Sequence, residues 1–120
     1  MVWSQWFDLT PNEVDNEVPT TPGVFCVARR RNAIRYTTGE SLTVMLGVAP
    51  SRQRGLRAVL GDLAKSERGN LHLERREQGG LRFCFQANIG SGAEVLYQEL
   101  MTDFATRFGE APRCNPGSAA

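Results

Sequence analysis

The sequence contains almost no lysine or histidine, and it has no long apolar run. Lysine occurs once, as Lys65, and histidine once, as His72, in a chain of 120 residues. No apolar stretch approaches the roughly 18–20 residues that span a bilayer, which predicts a protein without membrane association. The first residues carry neither the basic region nor the apolar core of a secretory signal peptide, so the expected location is the cytoplasm.

Cysteine is also scarce, with Cys26, Cys84 and Cys114 widely spaced along the chain. An odd, dispersed set excludes a disulfide framework, and no pair has the close spacing of a structural zinc site. Cys26 and Cys84 lie in apolar runs, which predicts small buried hydrophobic side chains. Cys114 is expected to be more exposed.

The length and composition predict one globular domain. A chain of this size, with 41% hydrophobic residues, buries a sizeable core without disulfides or metals. We expect an N-terminal arm over residues 1–17, a folded domain over residues 18–115 and a disordered tail over residues 116–120. Prolines predict that the region before residue 23 is irregular. They are Pro11, Pro19 and Pro22.

The formal net charge of +1 conceals a strong segregation of charge along the chain. Residues 1–22 and 89–120 are acidic overall, whereas residues 23–88 hold most of the basic side chains. All the basic residues except Lys65 are arginines, and the planar guanidinium contacts phosphates bidentately. The middle of the chain therefore fits either a surface that binds DNA or RNA or an ordinary solvated surface.

The first half of the domain predicts a hairpin followed by a helix. Strands are predicted over residues 25–30 and 34–38, and the short turn between them predicts antiparallel pairing. Residues 42–48 are apolar and fit either a strand or a helical turn. After Ser51, a suitable N-cap, helical spacing of apolar residues predicts a helix that ends at Gly69. The apolar stripe is Leu56, Val59, Leu60 and Leu63.

The second half predicts another hairpin. Residues 71–76 and 81–89 alternate in polarity and flank Gly79 and Gly80, which predicts two strands with His72 facing solvent.

The last predicted element is a helix. Ser91 and Glu94 form a capping box, and apolar residues recur at helical spacing up to Phe108. Gly109 suits the end of this helix. The order strand, strand, helix, strand, strand, helix predicts an α+β fold, a small antiparallel sheet with helices packed against it.

The segment Pro22-Gly23-Val24-Phe25 resembles the first motif of the GIY-YIG nuclease superfamily. Its members open with a Pro-Gly-Ile/Val-Tyr strand, and a second strand ends in Tyr-Ile/Val-Gly, which is expected here within residues 35–41. Residues 52–63 resemble the helical middle of the family. Its last helix and following Pro-x-x-Asn resemble residues 93–108 and 112–115.

In active members the resemblance implies metal-dependent phosphodiester cleavage with Mg²⁺ or Mn²⁺. Two motif tyrosines and an arginine of the first helix position the nucleophile and the phosphate. Here Phe25 replaces the first tyrosine, and the second position falls on Tyr36 or Thr37. The candidates for the arginine are Arg52, Arg54 and Arg57.

The resemblance also implies a metal-binding glutamate on the last helix. That position holds Tyr97, so the candidate metal ligands are Glu94 and Glu99 on the same helix. Asn115 matches the terminal asparagine. The candidate nucleic-acid contacts are Arg29, Arg31, Arg35, Arg52 and Asn115.

These residues predict a GIY-YIG-like domain with a degenerate active site. Its expected function is nucleic-acid binding or nuclease-related, with impaired or absent phosphodiesterase activity. If the site is active, the chain is a metal-dependent endonuclease. The alternative is a non-catalytic protein-interaction or scaffold domain that uses the N-terminal aromatic residues or a sheet edge.

Overall fold

A four-stranded antiparallel sheet lies at the centre of the molecule in the computed structural model, which describes residues 3–87 and 92–115. In chain order the elements are β1 (Phe7–Asp8), α1 (Pro11–Glu17), β2 (Gly23–Ala28), β3 (Ile34–Tyr36), β4 (Gly39–Ser41), β5 (Thr43–Ala49), α2 (Leu56–Lys65), α3 (Gly69–Gln78), β6 (Arg82–Ala87) and α4 (Ala93–Phe108). The sheet order is β1-β6-β2-β5, and β3 and β4 form a separate two-stranded sheet. The predicted α+β class is confirmed.

Strand β2 is the centre of the core, and all six of its residues are buried. It pairs with β5 on one side and β6 on the other. On one face of the sheet, the ring of Phe25 covers Gly47 of β5, where a Cβ atom would lie 2.1 Å from the ring. Helix α2 packs on this face through Leu56, whose side chain lies against Gly23. A glycine at each of these positions therefore permits the close approach.

Helix α4 packs against β5 and β2 and holds the β3–β4 hairpin. The ring of Tyr36 meets Phe104 edge-on at 5.1 Å and Phe108 at 5.8 Å. The aromatic stripe of α4 therefore fixes the hairpin at one end of the sheet. Within the described ranges, no helix is both long and apolar enough to cross a membrane.

The N-terminal residues contain regular structure, so the prediction of an irregular segment before residue 23 is wrong. The side chain of Thr10 accepts a hydrogen bond from the Glu13 N–H and caps α1, and Pro11 occupies its first turn. Proline is compatible with this position because the first N–H groups of a helix have no intrahelical acceptor. Residues 3–17 also add β1 to the sheet and bury Leu9 and Val14 in the core.

The predicted pairing of residues 25–30 with residues 34–38 is also wrong. Strand β3 pairs with β4, whereas β2 pairs with β5. Residues 42–48, which fitted a strand or a helical turn, lie mostly in β5. The β3–β4 hairpin is thus an insertion between the two strands that pair.

The predicted strand over residues 71–76 is a helix, α3, so the second predicted hairpin does not form. Gly79 has φ of 69° and ends α3 in the left-handed conformation, which glycine adopts without strain. Its position is therefore a helix terminus rather than a hairpin turn. His72 lies half-buried on α3 and not on a strand.

Helix α2 begins after Gly55, not after the predicted cap Ser51, and ends at Lys65. The Ser51 hydroxyl accepts from the Arg54 N–H in the turn that precedes the helix. Gly69 begins α3 instead of ending α2.

The last helix is confirmed over Ala93–Phe108, and Gly109 follows it with φ of 78°. The predicted cap Ser91 and the predicted tail over residues 116–120 lie outside the described residues.

Candidate nucleic-acid interface

A groove of about 300 Å³ runs beside helix α2, and we refer to it as the α2 groove. Its basic residues are Arg52, Arg57 and Lys65, and its acidic residues are Asp15 and Asp62. Arg57, Gly61 and Lys65 are spaced by four residues, which places them on one face of the helix. Lys65 is absent from the predicted contacts, although this spacing could have indicated it.

The chain before β2 closes one end of the α2 groove. The Leu56 N–H donates to the carbonyl of Thr21 at 3.0 Å, and the Arg57 N–H donates to that of Pro19 at 3.1 Å. Gly55 permits this contact, since a Cβ there would lie 2.1 Å from the Thr20 carbonyl oxygen. Because these carbonyls accept from the first N–H groups of α2, those N–H groups are not free to bind an anion. The positive charge of the groove therefore comes from side chains.

The basic side chains around the groove differ in what they already bind. Arg54 forms an exposed ion pair with Asp62. Arg57 donates through Nε to the carbonyl of Val18 at 2.7 Å, which leaves its terminal nitrogens available. Arg52 and Lys65 are exposed and have no side-chain partner among residues 3–87 and 92–115. Three cationic side chains, those of Arg52, Arg57 and Lys65, are therefore exposed here without an ion-pair partner among the described residues, together with the carboxylate of Asp15.

Arg29, predicted to contact nucleic acid, lies instead inside the protein. Its Nε and Nη2 donate to the two carboxylate oxygens of Glu74 at 2.5 and 3.0 Å, and its Nη1 donates to the Asn32 carbonyl. Arg113 also approaches Glu74, at 3.5 Å. The hydrogen bonds with Glu74 raise the pKa of Arg29. We call Arg29 and Glu74, with the partly exposed Arg113 at their edge, the buried arginine cluster. Glu74 is not among the residues predicted from the sequence.

Arg31 and Arg35, the other predicted contacts in this part of the chain, are exposed. Arg31 lies in the turn after β2, and Arg35 lies on β3 between two buried neighbours. Neither residue lines the α2 groove. The structure therefore does not gather all the predicted arginines into one surface.

Tyr36 and Thr37, the candidates for the second tyrosine position, both have structural partners. The Tyr36 hydroxyl donates to the Thr43 carbonyl at 2.7 Å and accepts from the Arg113 N–H at 3.1 Å. Burial raises the pKa of this phenol. The Thr37 hydroxyl donates to Glu110 at 2.7 Å. The contacts with Arg113 and Glu110 join the β3–β4 hairpin to the segment after α4.

The strand paired with the Gly23-Val24-Phe25 motif is β5, and Phe25 lies opposite Gly47. The triplet Met45-Leu46-Gly47 thus occupies the place where a second motif ending in glycine would pair. By the resemblance, this pairing would put Met45, which has no hydroxyl, at the second tyrosine position. From the sequence, the second position was predicted at Thr37 if Gly39 ends the motif, or at Tyr36 if one extra residue is allowed.

Asn115 forms hydrogen bonds with the free edge of β5, the outer strand of the sheet. Its side chain accepts from the Leu46 N–H at 2.9 Å and donates to the Leu46 carbonyl at 2.8 Å, as a neighbouring strand would. The Cys114 N–H donates to the Val44 carbonyl beside it. The amide of Asn115 also lies 3.4 Å from the Tyr97 hydroxyl. The Asn115 side chain is buried by these contacts rather than presented to a ligand.

The candidate metal ligands Glu94 and Glu99 are both exposed on α4. No cluster of three histidine, cysteine, aspartate or glutamate side chains suited to a metal occurs in the part of the chain that the structure describes. At the expected metal position the available groups are the Tyr97 phenol and the Asn115 amide. This pair lacks the carboxylate that Mg²⁺ prefers, so it does not fit the metal.

Compared with protein-family models, curated proteins and solved structures, the chain gives no match.

Proposed function

We propose that this chain is a GIY-YIG-like domain that no longer cleaves phosphodiesters and that binds nucleic acid through the α2 groove. The observation that carries the proposal is the convergence of Arg52, Arg57 and Lys65 on one groove. Guanidinium and ammonium groups on a shared face contact successive phosphates, and such contacts supply most of the sequence-independent affinity for nucleic acid.

The loss of cleavage is supported by the groups at the positions that the resemblance makes catalytic. Phe25 and Met45 carry no hydroxyl with which to orient a nucleophile. Tyr97 replaces the expected glutamate, and a neutral phenol does not balance the charge of a divalent cation. Binding without chemistry is the function consistent with this set.

Binding is measured by fluorescence anisotropy with labelled single-stranded and duplex DNA and single-stranded RNA, with and without Mg²⁺. Three phosphate contacts on duplex DNA give a salt slope near −2.7, so affinity should fall about 40-fold between about 50 and 200 mM salt. Changing Arg52 and Lys65 together to alanine should reduce the fall to about 3- to 4-fold. Arg68→Ala is the matched control, because Arg68 is exposed but does not line the groove.

Absence of salt-sensitive binding to all three nucleic acids would contradict the binding proposal. Mg²⁺- or Mn²⁺-dependent nicking in the same samples would contradict the loss of chemistry. In that case Glu94→Ala and Glu99→Ala would identify the carboxylate that supplies the metal site.

A second candidate function is protein interaction, and it is favoured by exposed apolar side chains at two places. Trp6 is 43% exposed under the guanidinium of Arg82, and Val95 on α4 is 62% exposed. The β5 edge is a weaker candidate because Asn115 already occupies it. Sedimentation of the purified chain tests this function, and a dimer that Val95→Asp or Trp6→Ala dissociates would support it.

A further inference from the structure

Cys26 and Cys84 face each other across the middle of the sheet. They are directly opposite partners on the antiparallel strands β2 and β6, and both are free thiols. Opposite residues in such a ladder have Cα atoms about 4.5–5.5 Å apart. Disulfides require Cα separations of about 4.4–6.8 Å. The sheet therefore places the two cysteines within the range of Cα separation that a disulfide requires.

The surroundings make the two thiols unequal. Hydrogen bonding with the Cys84 thiol lowers the pKa of Cys26, and the Thr43 hydroxyl, 3.5 Å from its sulfur, and the charge of Arg82 act in the same direction. The pKa of Cys84 is raised by its interaction with Cys26 and by burial. Burial of Cys26 opposes these effects without cancelling them, so Cys26 is the thiol of the pair that ionises first.

A groove of about 320 Å³ leads to this pair. Cys26 and Cys84 line it together with residues of the N-terminal segment and β5. Those residues are Trp3, Ser4, Trp6, Thr43 and Leu46. The two cysteines remain only 8% and 5% exposed, so the opening admits a small reagent rather than another protein's thiol.

We propose that Cys26 and Cys84 are a peroxide-oxidised dithiol that closes to an intramolecular disulfide within the sheet. The Cys26 thiolate attacks one oxygen of hydrogen peroxide, the O–O bond breaks, and Cys26 sulfenic acid forms with release of hydroxide. The Cys84 sulfur then attacks the Cys26 sulfur; the S–S bond forms as the S–O bond breaks, and the leaving hydroxide takes up the proton of Cys84. In balance, two thiols and one peroxide give one disulfide and two waters.

Cys114 is a built-in control for this reaction. Burial raises its pKa to about 11, and the charge of Glu74 contributes in the same direction. At neutral pH it is therefore almost wholly a thiol, which is a poor nucleophile toward peroxide. It also lies in a different groove, beside Glu74 and Arg113.

The folded chain is treated with one equivalent of hydrogen peroxide, denatured, alkylated with iodoacetamide and mapped by mass spectrometry. The expected product retains one alkylated cysteine, Cys114, and a cross-linked pair of peptides that contain Cys26 and Cys84. A thiol reductant should restore three alkylated cysteines. Cys114→Ser should give the same cross-link, and this variant leaves the sheet centre intact.

Three results would overturn the proposal. They are a disulfide that involves Cys114, a cross-link between two chains, and oxidation of Cys26 to sulfinic acid with Cys84 still a thiol. Persistence of all three thiols in the folded chain, when the urea-unfolded chain oxidises under the same conditions, would overturn it as well. The wild-type map decides the question even if Cys26→Ser or Cys84→Ser does not fold.

Discussion

The buried arginine cluster and the α2 groove use the same residue type in opposite ways. In the cluster, the Arg29 side chain is 10% exposed, and the Glu74 side chain is 5% exposed. Two guanidinium nitrogens of Arg29 donate to the two carboxylate oxygens of Glu74. Beside the groove, the side chains of Arg54 and its partner Asp62 are 59% and 63% exposed, and in the groove Arg52 is exposed. The comparison teaches that a basic stretch of sequence overstates the charge available to a ligand, since some arginines neutralise internal carboxylates.

The largest effect should come from neutralising the buried partner. Glu74→Gln leaves the Arg29 cation buried without its counter-charge, and breaking a buried pair in this way costs about 3–5 kcal/mol. Urea denaturation measures the loss in the free energy of unfolding. The matched change in the groove, Asp62→Asn, should cost less than about 1 kcal/mol because solvent screens that pair. Equal losses at the two sites would break the comparison.

Tyr36 links the cluster to the rest of the fold and gives a smaller effect. Tyr36→Phe removes the partner of the Thr43 carbonyl and of the Arg113 N–H. Leaving such partly buried groups unpaired costs about 1–3 kcal/mol. Urea denaturation at neutral pH measures this loss, and an unchanged free energy of unfolding would contradict the structural role of the phenol.

The same substitution tests the raised pKa of Tyr36. The unfolded chain releases the phenol proton near the ordinary value of 10.0, before the folded chain does. The unfolded state therefore binds fewer protons above about pH 10, and stability should fall as pH rises there. Tyr36→Phe should make this decline shallower. An identical decline in both proteins would show that Tyr36 does not contribute to it.

How much of this the sequence could predict depends on whether the pattern is local. The prediction of helix α4 was correct because its apolar residues recur at helical spacing along the whole helix and Gly109 ends it. Helix α3 was missed because only Leu71 and Glu74 are buried, so its apolar residues alternate by chance, with Leu73 53% exposed. Helix α1 could have been predicted, because Thr10 followed by Pro11 is typical of a helix start. The three prolines of this region were interpreted only as breaks in regular structure.

The candidate site was less predictable because it depends on pairing between distant strands. Nothing local distinguishes a hairpin of β2 with β3 from one of β2 with β5. The residue that lies nearest the Gly23-Val24-Phe25 segment across the sheet therefore could not be read from the sequence. Likewise Glu74 lies 45 residues from Arg29 in sequence. The sequence predicts that the middle of the chain is positively charged, whereas the fold decides which of its basic side chains are exposed and which pair with buried carboxylates.

Arg57 makes a structural hydrogen bond and also lines the α2 groove. Its substitution should therefore affect both the free energy of unfolding and nucleic-acid binding. Arg57→Ala loses the hydrogen bond to the Val18 carbonyl, which is worth about 1 kcal/mol. It should also reduce the salt slope of nucleic-acid binding by about one. Arg57→Lys is the control, because it keeps the charge but replaces the Nε donor. A lysine variant that restores the slope but not the stability would separate the two roles.

The smallest effect on folding should come from Arg52, which has no side-chain partner among the described residues. Arg52→Ala should change the free energy of unfolding by less than about 0.5 kcal/mol. The same variant should weaken binding to labelled DNA several-fold at low salt, with the difference shrinking as salt rises. A change in stability without a change in binding would show that Arg52 acts structurally, as Arg29 does, and would remove it from the proposed binding surface.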